Sequence, residues 1–155
     1  MFIKNILDYL SPTKCFVKYV LDGDTVLIQS GTCNIFQKKV RLIGINADEI
    51  EHPDFPENKK IATPMGYEAK TYLKQKLEGK YVSLSFDSMV EPTDKYSRVL
   101  AYVLLDKVDV AIDLFERGYC RVLDYKKLGF TQLEIYKKLE ATAKAKKLGI
   151  WKSVI

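Results

Sequence analysis

Four charged side chains in this 155-residue sequence are of the types that phosphodiester hydrolysis requires: Asp24, Arg41, Glu49 and Arg98. A hard cation such as Ca²⁺ takes carboxylate and carbonyl oxygens. A carboxylate beside it orients or deprotonates the attacking water, an effect worth about 10²–10⁴-fold. Two guanidinium groups clamp phosphate oxygens bidentately and stabilise charge on a five-coordinate phosphorus. Types alone do not bring these residues together. With 25 Lys and Arg and 20 Asp and Glu in the chain, such a set would also arise by chance.

The elements that must position them are legible in part. CFVKYVL and TVLIQ, within residues 14–30, read as two short strands, with Asp22-Gly23-Asp24 as the turn between them. A third strand is predicted from about Ile35 to Ile45 and carries Arg41; Gly44 within it marks a bend or a close backbone approach. Residues 46–62 form a long polar loop opened by Glu49, and loops of that length in small domains are often functional. Thr63 and Pro64 signal a helix start. Met65, Ala69, Tyr72, Leu73 and Leu77 give that helix its apolar face, and Gly79 ends it. YVSLSF (81–86) and RVLAYVLL (98–105) are two more strands, the second begun by Arg98. Asp109 to Gly118 is a short helix with Val110, Ile112, Leu114 and Phe115 inside. Thr131 to Glu134 reads as a capping box opening a helix that runs to about Leu148, with Gly149 as terminator. Lys137, Lys138, Lys144, Lys146 and Lys147 read as its solvated face. Five strands interrupted by a helix after the third, then two helices, predict an α+β fold: a five-stranded Greek-key barrel of OB type with three helices.

The totals bound the rest. The apolar fraction of 47% and charged fraction of 29% suit one soluble domain that needs no disulfide or structural metal to fold. A net charge of +5 and a pI near 9.0 suit a polyanionic partner through counterion release, or a membrane surface. Cys15, Cys33 and Cys120 have neither an even count nor CxxC spacing, so no disulfide framework or zinc site is expected. The one histidine, His52, reads as a loop residue. It leaves no multi-histidine metal site and makes a Ser-His-Asp mechanism depend on itself alone. No run of 18 apolar residues spans a membrane. Residues 1–13 read as an extension. Lys4, Asn5 and Asp8 interrupt any signal-peptide core, while Phe2, Ile3, Ile6, Leu7 and Leu10 share a helical face, for packing on the domain or for a membrane surface.

Four segments, in order, resemble one known family. Leu21 to Val26 is similar to its DGDT turn and strand, and Arg41-Leu42-Ile43-Gly44-Ile45-Asn46-Ala47-Asp48-Glu49 to its R-L-x-G-I-D-A-P-E segment. Thr93 to Tyr102 resembles T-D-K-Y-G-R-x-L-A-Y, and Glu140 to Lys144 with Leu148-Gly149-Ile150-Trp151 resembles the closing helix and tail. The family is that of the staphylococcal nucleases, OB-fold barrels with added helices, and the match runs over residues 14–153. The resemblance implies Ca²⁺ as cofactor, with Asp24, Asn46 and the backbone carbonyl of Ala47 as its ligands. It implies Glu49 as the residue that activates or places water, and Arg41 and Arg98 as binders of the scissile phosphate. Lys95 and Tyr96 fall beside the nucleotide phosphate and sugar, and Tyr125 stands nearest the positions that stack on the base. The implied substrate is DNA and/or RNA, single strands favoured, with 3′-phosphate products. A monomer is expected. Cysteine usage favours the cytoplasm, although members of the family are often secreted.

The chain departs from the family pattern at several points. Asn46 replaces an aspartate; it can still offer a carbonyl oxygen, without charge, so weaker metal binding is expected. Asp48 replaces a proline, and either restores that charge through a loop shift or faces solvent. Ser97 replaces a glycine. Trp151 is expected to pin the tail to the barrel. Two rival readings stand beside the enzyme: a nucleic-acid-binding module without catalysis, which Asn46 favours, and a protein-interaction domain.

Overall fold

Two β-branched and aromatic segments start the barrel as expected: β1 (Cys15–Asp22) and β2 (Thr25–Ser30) pair antiparallel across the Gly23-Asp24 turn. The computed structural model describes residues 14–30, 36–48 and 65–152. β2 pairs in turn with β3 (Phe36–Leu42). On the other side of β1 lies β5 (Tyr81–Ser85), which pairs with β6 (Val99–Leu105). A parallel ladder between β3 and β6, with Val40 opposite Val99 and Leu42 opposite Ala101, closes the five strands into a mixed barrel. Closure leaves β1 and β2 no open long edge. A two-residue strand, β7 (Val108–Asp109), continues the sheet beyond β6.

The third strand ends earlier than the sequence suggests. Gly44 adopts φ +77°, where an L side chain is strained, and a Cβ there would stand 2.4 Å from the Phe130 ring. The chain therefore breaks at Gly44. It re-forms as a separate strand, β4 (Ile45–Ala47), which pairs with β8 (Cys120–Val122) away from the barrel. β4, β7 and β8 are too short to leave a periodic signal.

Among the described residues, three helices pack against this frame. α1 (Gly66–Leu77) buries Ala69, Leu73 and Leu77, spaced four apart, against β1. Its expected start at Thr63 and Pro64 lies outside the described residues, and Gly79 ends it at φ +76°. α2 (Val110–Glu116) is capped by Asp109, whose carboxylate accepts the Ala111 N–H. α3 (Leu133–Ala145) is not opened by a capping box. Its first residue follows Gln132, and Thr131 instead donates both its N–H and its hydroxyl to Asp87, 2.7 and 3.0 Å away. A buried carboxylate already held by the Tyr102 hydroxyl and the Met89 N–H outcompetes the local cap. The five α3-region lysines are exposed, in keeping with a solvated face.

Val17, Val26, Ile28, Val40, Leu73, Leu77 and Val99 fill the barrel, each at most 1% exposed. Burying each such side chain contributes about 1.5–3 kcal/mol. Phe115, Phe130 and Tyr136 form a second aromatic layer under α2 and α3. Cys15 and Cys120 are buried, and Cys33 lies outside the described residues. The Gly149–Trp151 turn seats the tail: the Ile150 N–H donates to the Gly118 carbonyl, and the Trp151 ring lies under Lys144 and Arg121 at 4.6 and 5.3 Å. No helix among the described residues is long and apolar enough to cross a membrane.

Candidate active site

The turn between β1 and β2 is held in place from below. A Cβ on Gly23 would stand 2.6 Å from the Ala47 Cβ and 2.9 Å from the Ala69 Cβ. The missing side chain thus lets β4 and α1 close on the turn, which carries Asp24 inward until it is only 8% exposed. Burial of a carboxylate requires donors. The Ala47 N–H donates to Asp24 Oδ2 at 2.9 Å, the Thr25 hydroxyl donates to Oδ1 at 3.0 Å, and Arg41 Nη2 lies 3.3 Å from Oδ2. Arg41 is 9% exposed and is fixed by its own strand end. Its Nη1 donates to the carbonyls of Leu42 and Ile45, and its Nη2 also reaches Asn46 Oδ1 at 3.4 Å. Asp24, Arg41, Asn46 and Ala47 therefore form one cluster, in agreement with the motifs.

Asp22 belongs to the same cluster, although the sequence presents it only as part of a turn. Its carboxylate accepts the Asp24 N–H at 3.4 Å. Burial, and then the Asp24 charge, push its carboxyl up to about 7. The signal lies in the pair of acids two residues apart, but only the turn makes them neighbours. Two adjoining carboxylates and the Asn46 amide oxygen are hard donors, which suit a cation of the Ca²⁺ type. Among the described residues no group of three or more Asp, Glu, His or Cys gathers at one point. Such a cation would therefore be completed by carbonyl oxygens and water.

Asp48 does not face solvent and does not turn to this cluster. Its side chain is 9% exposed and pairs with Arg121 at 2.7 Å, across the β4–β8 ladder where Asn46 stands opposite Arg121. The charge lost at Asn46 is not restored by its neighbour.

Arg98 heads a second cluster, on the loop between β5 and β6. Its Nε donates to Asp94 Oδ2 at 2.7 Å, and Asp94 Oδ1 accepts the N–H groups of Tyr96 and Arg98. Burial alone would raise the Asp94 carboxyl, but these bonds and the guanidinium charge hold it below its usual value. The loop turns at Ser97 with φ +61°, so the serine occupies the left-handed conformation that a glycine adopts without strain. Tyr96 is 68% exposed, with Lys95 Nζ and the Arg98 guanidinium 5.1 and 5.4 Å from its ring centre. Asp22 and Thr25, beside the first cluster, and Arg98 of the second line one groove. Tyr125 sits apart on the 3₁₀ turn Tyr125–Lys127, exposed, with Lys126 over its ring. Glu49 and His52, and the N-terminal face formed by Phe2, Ile3, Ile6, Leu7 and Leu10, lie outside the described residues.

A family-wide profile described as "Staphylococcal nuclease homologue" matches residues 39–153. A thermonuclease of Staphylococcus intermedius is 33% identical over 135 residues, covering 87% of this chain and 74% of the relative. A thermonuclease of Staphylococcus hyicus is 30% identical over 132 residues, covering 85% and 72%. The SPbeta prophage-derived endonuclease YokF of Bacillus subtilis is 31% identical over 131 residues, covering 84% of this chain and 41% of the relative.

Proposed function

The chain belongs to the staphylococcal nuclease homologue family, and from that premise we propose that it is a Ca²⁺-dependent phosphodiesterase acting on DNA and/or RNA. Single strands are its favoured substrates and 3′-phosphates its products. The observation that supports this most is the junction of Asp24, Arg41, Asn46 and Ala47, with a buried carboxylate and a guanidinium 3.3 Å apart. A buried carboxylate beside a phosphate binder repels phosphate unless a cation offsets its charge, which favours a metal-assisted reaction over simple binding.

Asp24, Asn46 and the Ala47 carbonyl would hold the cation, which when bound supplies positive charge next to the scissile phosphate. Arg41, anchored through Nη1, offers Nη2 to a phosphate oxygen. Arg98 is oriented by Asp94 and takes a second oxygen. Glu49 accepts a proton from the attacking water. The new P–O bond forms in line with the breaking one, and the 5′-oxygen leaves. Lys95 and Tyr96 steady the adjoining phosphate and sugar, and Tyr125 offers its exposed ring to a base.

A specific observation favours the second reading, a binding module. Asn46 brings no charge, and its amide oxygen already accepts from Arg41. Incubating denatured DNA with the protein in Ca²⁺ or in EGTA, then mapping the ends, separates the two. Cleavage to 3′-phosphate ends in Ca²⁺ alone supports the enzyme. Retention of the strand without cleavage at any Ca²⁺ level supports the module.

A further inference from the structure

The outer face of the barrel carries more than the acid–guanidinium cluster. In the β1–β2–β3 ladder, Asp22, Thr25 and Arg41 stand opposite one another, and so do Tyr19, Leu27 and Lys39. A bulge between Val20 and Asp22 supplies the extra β1 residue that keeps both rows facing the same way. Lys39 and Arg41 flank buried Val40, so their side chains share the outer face of β3. The two rows lie about 7 Å apart along the strands.

The second row opens into a groove of about 570 Å³, walled by α1. Lys39 enters from β3, Lys70 and Lys74 from α1, and Arg98 from the start of β6. The two α1 lysines are one turn apart, about 6 Å along the helix axis. The groove's acids are Asp22 and Glu78. Glu78 accepts the Val20 N–H at 2.9 Å and lies 3.9 Å from Lys74, so it is engaged within the wall. Among the described residues no carboxylate lies within ion-pair distance of Lys39 or Lys70. Tyr19 stands at the rim with 53% of its surface exposed. Lysines along a groove with an exposed aromatic ring at its edge are the parts that hold a single polynucleotide strand: the cations track phosphates and the ring stacks on a base.

We propose that this groove binds the polynucleotide strand flanking the scissile phosphodiester, with Lys39 and Lys70 on its phosphates and Tyr19 against a base. The inference rests on the nuclease reading, but its binding arm does not need cleavage. Arg98 lines the groove and heads the second cluster, so the strand leaves the reacting phosphate directly into it. Lys39, Lys70 and Tyr19 stand outside the reacting cluster, so they act on strand affinity and leave the chemical step to Arg98 and its partners.

The test compares Lys39→Ala/Lys70→Ala and Tyr19→Ala with Lys137→Ala/Lys146→Ala. The last pair removes the same charge from exposed positions that do not line the groove. Binding of a fluorescein-labelled 20-mer of thymidylate is read by anisotropy in EDTA. The groove variants are expected to bind about tenfold more weakly than wild type. In the lysine pair, the slope of log affinity against log salt should also become shallower, by roughly 0.7 for each phosphate that is no longer neutralised. The α3 pair stays near wild type. Where the wild type cleaves, KM for the oligonucleotide rises in step with Kd, kcat holds, and hydrolysis of bis(4-nitrophenyl) phosphate, which has no flanking nucleotide, is unchanged. If the wild type binds but does not cleave, the nuclease reading fails and the groove still stands on its binding loss. Equal binding by groove variants and wild type, an equal loss in the α3 pair, or no binding by the wild type would overturn the inference.

Discussion

Asp87 touches no site residue, yet its carboxylate is only 6% exposed and accepts from the Tyr102 hydroxyl at 2.5 Å, the Met89 N–H at 2.9 Å, and Thr131 twice. Replacing it by Ala strands the buried Tyr102 hydroxyl and releases the part-buried donors of Met89 and Thr131. Asp87→Ala is expected to cost about 3 kcal/mol, read as a lower urea midpoint. Burial alone would raise its carboxyl, but the bonds from Tyr102, Met89 and Thr131 outweigh that and hold it below the ordinary 3.8. A folded value below the unfolded one gives stability that is complete above the unfolded value and lost as pH falls through the folded one. The stability gap between wild type and Asp87→Asn should therefore be constant from pH 7 to about 5 and narrow below about 4. A gap that widens on acidification would refute this assignment. At this scale the sequence shows the site only through motifs. Asp24, Arg41 and Asn46 could be placed because they stand in recognisable segments, and the structure then joined them. Asp22 and Asp87 could not, because an acid's burial depends on donors that arrive from distant strands and helices.

Gly44 carries the larger lesson about elements. A periodic pattern predicts one strand through Ile45, because hydrophobic alternation does not register a reversal of backbone hand. The φ of +77° and the Phe130 ring against the missing Cβ divide that strand in two, and the second half supplies Asn46 and Ala47 to the site. Gly44→Ala combines strain of about 1–3 kcal/mol with overpacking of similar size. It should lower the thermal midpoint and, by displacing β4, weaken Ca²⁺ binding measured by calorimetry more than a stability-matched change elsewhere does. Equal Ca²⁺ affinity would show that β4 does not position the proposed metal ligands. The C-terminal glycines work differently. A Cβ on Gly149 would stand 2.1 Å from the Gly118 carbonyl oxygen, so Gly149→Ala should lift the tail off the domain. Trp151 is the only tryptophan, so the event would be read directly as a red shift of its emission. The barrel strands and the three helices of the described residues are legible because their apolar periods are long enough to see. The α3 cap is not, because Thr131 has a tertiary partner that local spacing does not reveal.

For the molecule as a whole, the charge of +5 is not spread evenly in effect. The α3-region lysines face solvent, while Lys39, Lys70, Lys74 and Arg98 converge on one groove beside the acid–guanidinium cluster. Net charge suggests a polyanion but cannot say where one would lie, because the groove is assembled from β1, β3, α1 and the start of β6. In the proposed reading, Asn46 leaves a working but weakened metal site. Cleavage of denatured DNA decides this, with Ca²⁺ titrated from micromolar to tens of millimolar for wild type, Asn46→Asp and Glu49→Gln. Wild type should cleave only with Ca²⁺, Asn46→Asp should reach half-maximal rate at about tenfold less Ca²⁺ because it restores ligand charge, and Glu49→Gln should lose at least about 10²-fold in rate. A wild type that binds the strand and never cuts it, with Asn46→Asp equally inert, would rule out a working metal site.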